Sequence, residues 1–181
     1  MRLQVEMASG KVVRENENTE LDKLLIQLLP EGGSVDDYLK WFNDPKVRSG
    51  LFPTTPTDAV NIESWLSSLV DNPKKFYQFI GVGDKIVGHI GLNDIDQRAA
   101  SAEVGIVIGE KDFWGKGLGD RVFKMLMPIA TNQLGLSTIY ARIAGHNFRS
   151  INLVTKNGFR LDKTSGLSIP EKWKVYSCKF K

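Results

Sequence analysis

The chain has one cysteine, Cys178, and two histidines, His89 and His146. A single thiol makes no internal disulfide and no cysteine-rich zinc site, and neither histidine has partners at metal-ligand spacing, so no metal is expected. No apolar run reaches the roughly 18 residues that a membrane-spanning helix needs. The first residues, Met1-Arg2-Leu3-Gln4-Val5-Glu6, contain no apolar signal-peptide core. The expectation is a cytoplasmic protein with no membrane partner. Charge of one sign is scarce as well: 24 Lys and Arg face 21 Asp and Glu, a net +3. That balance makes no case for a dedicated nucleic-acid protein, although a mildly basic surface would help attract an anionic ligand. Repeats and low-complexity tracts are absent too.

What is present reads as one globular domain over residues 1–181, with an ordinary 41% hydrophobic and 25% charged composition. The first half is mostly helical by pattern. Residues 21–29 read as a short apolar helix stopped by Pro30 and the pair Gly32-Gly33. Ser34 can cap a second helix carrying Val35, Tyr38, Leu39, Trp41 and Phe42, which Pro45 stops. Residues 58–70 form a third, with apolar residues near helical spacing. The period then switches to two. Residues 76–82 and 85–92 read as strands joined by a tight Gly83-Asp84 turn, and 101–109 as a third strand. A glycine-rich loop leads into a helix over 119–134, ended by Gly135. Pro128 inside it should kink it or cost about 3 kcal/mol. A strand at 138–144, a helix at 149–157 and closing strands at 159–161 and 172–180 complete an α/β (α+β) domain, a mixed sheet flanked by helices. Cys178 falls in the last strand, as a buried residue.

The segment Trp114-Gly115-Lys116-Gly117-Leu118-Gly119 carries chemistry. Alternating glycines permit positive φ and close approach, so successive N–H groups can point at one anion. The helix that follows adds its N-terminal dipole and unpaired N–H groups, and Lys116 adds charge. The chemistry suits a pyrophosphate. Two common nucleotide loops do not fit. Gly117 and Gly119 are followed at position 122 by valine, not by the third glycine of a dinucleotide fingerprint. Gly115-Lys116 is followed by Gly117, where a Walker loop needs Ser or Thr.

Together with Ala102-Glu103-Val104-Gly105-Ile106-Val107-Ile108-Gly109 before it, and Ile139-Tyr140-Ala141-Arg142, Asn147-Phe148-Arg149-Ser150 and Lys156-Asn157-Gly158-Phe159 after it, this loop resembles the GNAT superfamily of acetyl-coenzyme A-dependent N-acetyltransferases. The branch it resembles includes ribosomal-protein N-terminal, polyamine and amino-sugar acetyltransferases. Trp114 stands where the family pattern has Arg or Gln. The resemblance implies a GNAT-like, mostly antiparallel central sheet with helices on both faces. It implies acetyl-CoA as co-substrate, with backbone contacts from Lys116, Gly117, Leu118, Gly119 and Asp120 to the pyrophosphate. It also implies that Ile106, Val107 and Ile108 pair with the pantetheine arm like an added strand.

Acetyl transfer to an amine needs a base, a donor for the carbonyl oxygen, and an acid for the leaving thiolate. Glu103 is the candidate base, the one ionisable residue within an apolar strand. It shares its strand face with Gly105, Val107 and Gly109, which would leave room for a ligand; a salt bridge is the alternative role. A backbone N–H near Val107 would be the oxyanion donor by resemblance. Relatives often place a tyrosine where this chain has Val154, so Ser150 is the candidate for the thiol and Asn147 for the pantetheine or acetyl end. Both also suit helix capping. His89 is either a second base or a satisfied strand histidine. Trp41, Arg48 and Phe52 are the candidate acceptor-lining residues, with Trp41 equally suited to the core. Few acidic residues cluster in that region, so a small amine such as an amino sugar, or a protein N-terminus, is a better fit than a polyamine. The assembly expected is a monomer or homodimer. A non-catalytic acetyl-CoA-binding module is the alternative to an enzyme.

Overall fold

The computed structural model describes residues 26–29, 31–51, 58–167 and 169–180. Seven strands form one sheet in the order β1-β2-β3-β4-β5-β7-β6. The strands are β1 (Ile26–Leu29), β2 (Phe76–Val82), β3 (Lys85–Asp96), β4 (Ser101–Ile108), β5 (Thr138–Ala144), β6 (Arg160–Leu161) and β7 (Trp173–Lys179). All neighbours run antiparallel except β4 and β5. The helices are α1 (Val35–Asn43), α2 (Pro45–Arg48), α3 (Ala59–Ser67), α4 (Leu118–Pro128) and α5 (Phe148–Lys156). No helix among the described residues is long and apolar enough to cross a membrane.

Local chemistry explains most of these boundaries. Ser34 and Asp37 form a reciprocal capping box at the start of α1. Pro45 does more than stop that helix. Asp44 accepts N–H bonds from Lys46 and Val47, so Pro45 becomes the first residue of α2, where its missing N–H costs nothing. Pro128 ends α4 without breaking the rod. The chain continues as a π-helical turn, Ile129–Gln133, in which Leu134 donates to the carbonyl of Ile129.

One expected helix is a strand. Of the apolar stretch 21–29, residues 26–29 form β1, paired antiparallel with β2 from Ile26↔Val82 to Leu29↔Phe79; residues 21–25 lie outside the described part. A short apolar run has no periodicity that separates helix from strand, and here the open edge of β2 takes it. Cys178 is only half-buried, in β7.

The sheet has two cores. On one face α4, the π-helical turn and α5 pack Leu118, Val122, Phe123, Leu126 and Val154 against the even positions of β4, Ala102, Val104, Ile106 and Ile108. On the other, α1, α2 and α3 pack Tyr38, Trp41, Phe42, Val47 and Ile62 against Phe79 and Val107. Period-two alternation therefore sends Glu103, Gly105 and Val107 to the α1–α3 face.

Candidate active site

β4 and β5 separate partway along their length. Their parallel pairing runs only from Ser101↔Thr138 through Glu103↔Tyr140, while β4 stays paired with β3 as far as Gly88↔Ile108. Beyond Glu103, β4 therefore has an open edge toward β5. Gly109 donates its N–H to Val87 on β3, and a side chain at Gly88 would overlap the carbonyl of Val107. Val107 thus turns its carbonyl toward β3, and alternation turns the polar groups of Ile106 and Ile108 to the open edge. The expectation that all three offer backbone to a ligand is corrected at Val107. It is also narrowed at Ile108, whose carbonyl accepts the Trp114 indole N–H at 2.6 Å.

Past β4 a short 3-10 turn, Lys111–Phe113, leads into the glycine loop. Gly115 and Gly117 have φ of 73° and 83°, and Gly117 caps α4 with its N–H groups beyond. A Cβ added at either would meet no protein atom within 4 Å; it would project into an outer groove of about 660 Å³ that both glycines line. The groove floor is Ile106 and Ile108, and Lys46, Arg149 and Lys156 stand at its rim. Lys116 is exposed and is not among the residues that line the groove. Arg149 stacks its guanidinium 4.5 Å over the Trp114 ring, tying the first turn of α5 to the loop. Asp120 is a structural node. It accepts from Lys156 (3.0 Å) and Asn157 (2.9 Å), which ties α4 to α5. Burial alone would raise its carboxyl; those bonds and the nearby Lys124 together hold it below the ordinary range.

Where β4 and β5 part lies an inner cavity of about 410 Å³, lined from both faces of the sheet. Phe42, Trp65, Tyr77 and His89 supply aromatic walls, and Asn93, Asp94, Glu103 and Arg142 a polar end. Groove and cavity share Gly50, Leu51, Ile106, Val107, Asn147, Ser150 and Leu153. Asn147 caps α5 by accepting the Ser150 N–H at 3.1 Å, and His146 bonds the carbonyl of Ser49 at 2.8 Å. The turn after α2 and the start of α5 thus meet where the two spaces join.

Residues 23–160 match the acetyltransferase (GNAT) domain family. The chain belongs to that family. It is an acetyl-coenzyme A-dependent N-acetyltransferase, an acyltransferase whose acceptor is an amine. An uncharacterized N-acetyltransferase p20 from Bacillus licheniformis is 27% identical over 131 residues, 70% of this chain and 73% of the relative. Among solved structures, a domain from Methanocaldococcus jannaschii superposes with a TM-score of 0.69 at 20% identity, covering 87% of this chain and 99% of that one. Spermidine N-acetyltransferase from Vibrio cholerae, in complex with CoA and spermine, gives a TM-score of 0.69 at 18% identity, covering 85% and 92%. At these identities the structures share the fold.

The acetyltransferase brings some of the expected residues together and scatters others. Ser150, Asn147, Ile106 and Val107 meet at the junction of groove and cavity. Glu103 is buried at the cavity's polar end, where Arg142 grips both its oxygens, Nε to Oε1 at 2.8 Å and the second guanidinium nitrogen to Oε2. The salt bridge expected as the alternative role of Glu103 is therefore formed. Trp41 is corrected to a core position. It is 1% exposed, donates its indole N–H to Glu110 at 2.9 Å, and lines neither space. Its ring fills the room above Gly109, where any side chain would overlap it, so that glycine makes space for protein and not for a ligand. Gly105 keeps its room: an added Cβ would meet only Asn93 Nδ2, at 3.8 Å. Arg48 is exposed and lines neither space, because α2 turns it away from Val47 and the groove. Phe52 lies outside the described residues. Val154 is buried in the core, so its side chain has no polar role.

His89 does not contact Glu103. It is 6% exposed, its Nδ1 sits 2.9 Å from the Tyr38 hydroxyl, and burial holds its pKa down to about 3. A base that weak takes no proton from an ammonium group. Tyr77, whose hydroxyl donates to Asn93 at 2.8 Å, is pushed up to about 12 by burial and stays protonated. Tyr77, Asn93, Asp94 and Arg142 had no assigned role from sequence. The shared face of Tyr77, Asn93 and Arg142 with Glu103 follows from strand register, which only the pairing of β2, β3, β4 and β5 reveals, while the register break after Asn93 brings Asp94 to within 3.7 Å of Arg142.

Proposed function

We propose that this enzyme acetylates a primary amine, a small molecule such as an amino sugar or a protein N-terminus, by direct attack in a ternary complex. The reading rests above all on one observation: the outer groove and the inner cavity share Val107, Asn147 and Ser150 at the point where β4 parts from β5. Two reactants entering from opposite sides would meet there without a covalent enzyme intermediate.

The outer groove fits coenzyme A. Its glycines leave ligand-sized space with positive φ, the N-terminal turn of α4 faces it, and a strand edge lies open along its floor. Backbone N–H groups of Lys116 to Asp120 would hold the pyrophosphate, with Arg149 and Lys156 beside it. Ile106 and the Ile108 N–H would hold the amide-bearing arm. Acetyl-coenzyme A supplies the activated acyl group. Asn147 and Ser150 orient the groups at the junction, with the Ser150 hydroxyl available to the departing sulfur.

Glu103 takes the ammonium proton, directly or through one water, while Arg142 fixes the orientation of its carboxylate. An N–H from the open edge of β4 steadies the carbonyl oxygen. The test is thiol release from acetyl-coenzyme A across a panel of amines. Turnover with amino sugars or peptide N-termini is the expected result. Tight cofactor binding with no turnover on any amine would overturn it.

A further inference from the structure

We propose that His89 selects the acceptor by donating a hydrogen bond from Nε2 to an oxygen of the substrate, so that the preferred acceptor is a primary amine bearing a nearby hydroxyl or carbonyl oxygen. The inference rests on the acetyl-transfer reading above and deepens it at the same site.

The imidazole lines the inner cavity between the rings of Trp65 and Tyr77, with centroids 5.3 Å and 5.5 Å away. Its Nδ1 is taken by Tyr38 at 2.9 Å. Among the described residues Nε2 has no hydrogen-bond partner, although the side chain is more than nine-tenths buried. A buried polar atom of this kind is costly to leave unpaired, and each such atom calls for an explanation.

The tautomer follows from Tyr38, which is fully buried. If Nδ1 carried the hydrogen, the Tyr38 hydroxyl proton would have no acceptor among the described residues. If Tyr38 donates to Nδ1, that buried donor is satisfied and the ring hydrogen sits on Nε2. The low proton affinity of the buried ring keeps it neutral at physiological pH. The ring at the cavity wall therefore carries its N–H on Nε2, the donor the proposal assigns to the acceptor. The acceptor's own nitrogen enters as an ammonium group with no lone pair to receive it. An oxygen does have one. His89 pairs with Val107 across β3 and β4, and Val107 lines both groove and cavity, so the oxygen would lie close to the reacting amine. A site that donates to a substrate oxygen discriminates sharply against analogues lacking it.

The test compares matched acceptors, glucosamine against cyclohexylamine and alaninamide against 3-methylbutan-2-amine, on wild type and on His89→Phe and His89→Gln. The quantity read is the kcat/KM ratio within each pair. Dividing the wild-type ratio by the variant ratio cancels each amine's own basicity. In His89→Phe the preference for the oxygen-bearing amine should fall about 10- to 100-fold, and His89→Gln, which keeps a donor, should recover part of it. An unchanged ratio would overturn the proposal. That includes an equal fall for both members of a pair. An independent measurement needs no variant: the imidazole 15N spectrum of the wild-type protein at pH 7 should show the hydrogen on Nε2, and a hydrogen on Nδ1 would overturn the donor. If no amine releases thiol, the acetyl-transfer reading fails, while the imidazole spectrum still decides the tautomer.

Discussion

The outer groove and the inner cavity meet at the same few residues but are built from different materials. The groove is largely main chain: two glycines at positive φ, the first turn of α4 and the free edge of β4. The cavity is mostly side chain, drawn from α1, α3, α4, α5 and five strands, β2, β3, β4, β5 and β7. A main-chain site reads shape and charge that every amino acid shares, so it suits a constant ligand. A side-chain site changes with each substitution, so it suits the ligand that differs among relatives. The contrast extends to single glycines. Gly117 leaves room for something outside the protein, whereas Gly109 leaves room for Trp41.

The sharpest way to break this comparison is Glu103→Gln. It should lower kcat by at least about 100-fold while leaving coenzyme A affinity, measured by calorimetry, unchanged; a parallel loss of affinity would mean the two spaces are not separable. Gly117→Asp should do the reverse. Aspartate tolerates positive φ better than most residues, so the fold should survive, while a carboxylate at the cradle weakens coenzyme A binding roughly 10- to 100-fold, about 1.4 to 2.7 kcal/mol. Normal binding by that variant would remove the cradle.

A smaller effect distinguishes the cavity by pH. Burial lowers the folded-state pKa of His89 to about 3, below its unfolded value, so below about pH 6.5 the unfolded chain binds a proton the folded chain refuses. The stability this contributes is fully present above that pH and is lost as pH falls toward 3, by up to about 1.4 kcal/mol per unit. Urea midpoints of wild type and His89→Phe should converge on acidification; parallel curves would argue against a buried neutral imidazole. The smallest effect sits at the junction. Asn147→Ala removes the cap of α5 and should cost about 1 kcal/mol in urea unfolding.

How much could be read beforehand follows the same division. The groove was legible because its signals are local: alternating glycines, an alternating strand before them and a helix after. The strands from β2 to β5 were legible for the same reason, down to the Gly83-Asp84 turn. Three things were not. β1 reads as part of a helix because its three apolar residues carry no period, and pairing with β2 decided it. Trp41 was offered to the acceptor because an aromatic residue on a helix has the same signature whether it faces a ligand or Gly109. Arg142 gave no sign of gripping Glu103, because the two are 39 positions apart and meet only through the short parallel pairing of β4 and β5.

The sequence alone therefore determined the family and the glycine loop that lines the groove, since such a loop needs only consecutive residues with the right backbone freedom. Tertiary structure alone decided the acceptor side. It split β4 from β5 to open an edge, brought Glu103 to Arg142, and buried His89 against Tyr38 at the cavity wall. Those relations are set by strand register and by which helix packs on which face, and neither is written in any short stretch of the chain.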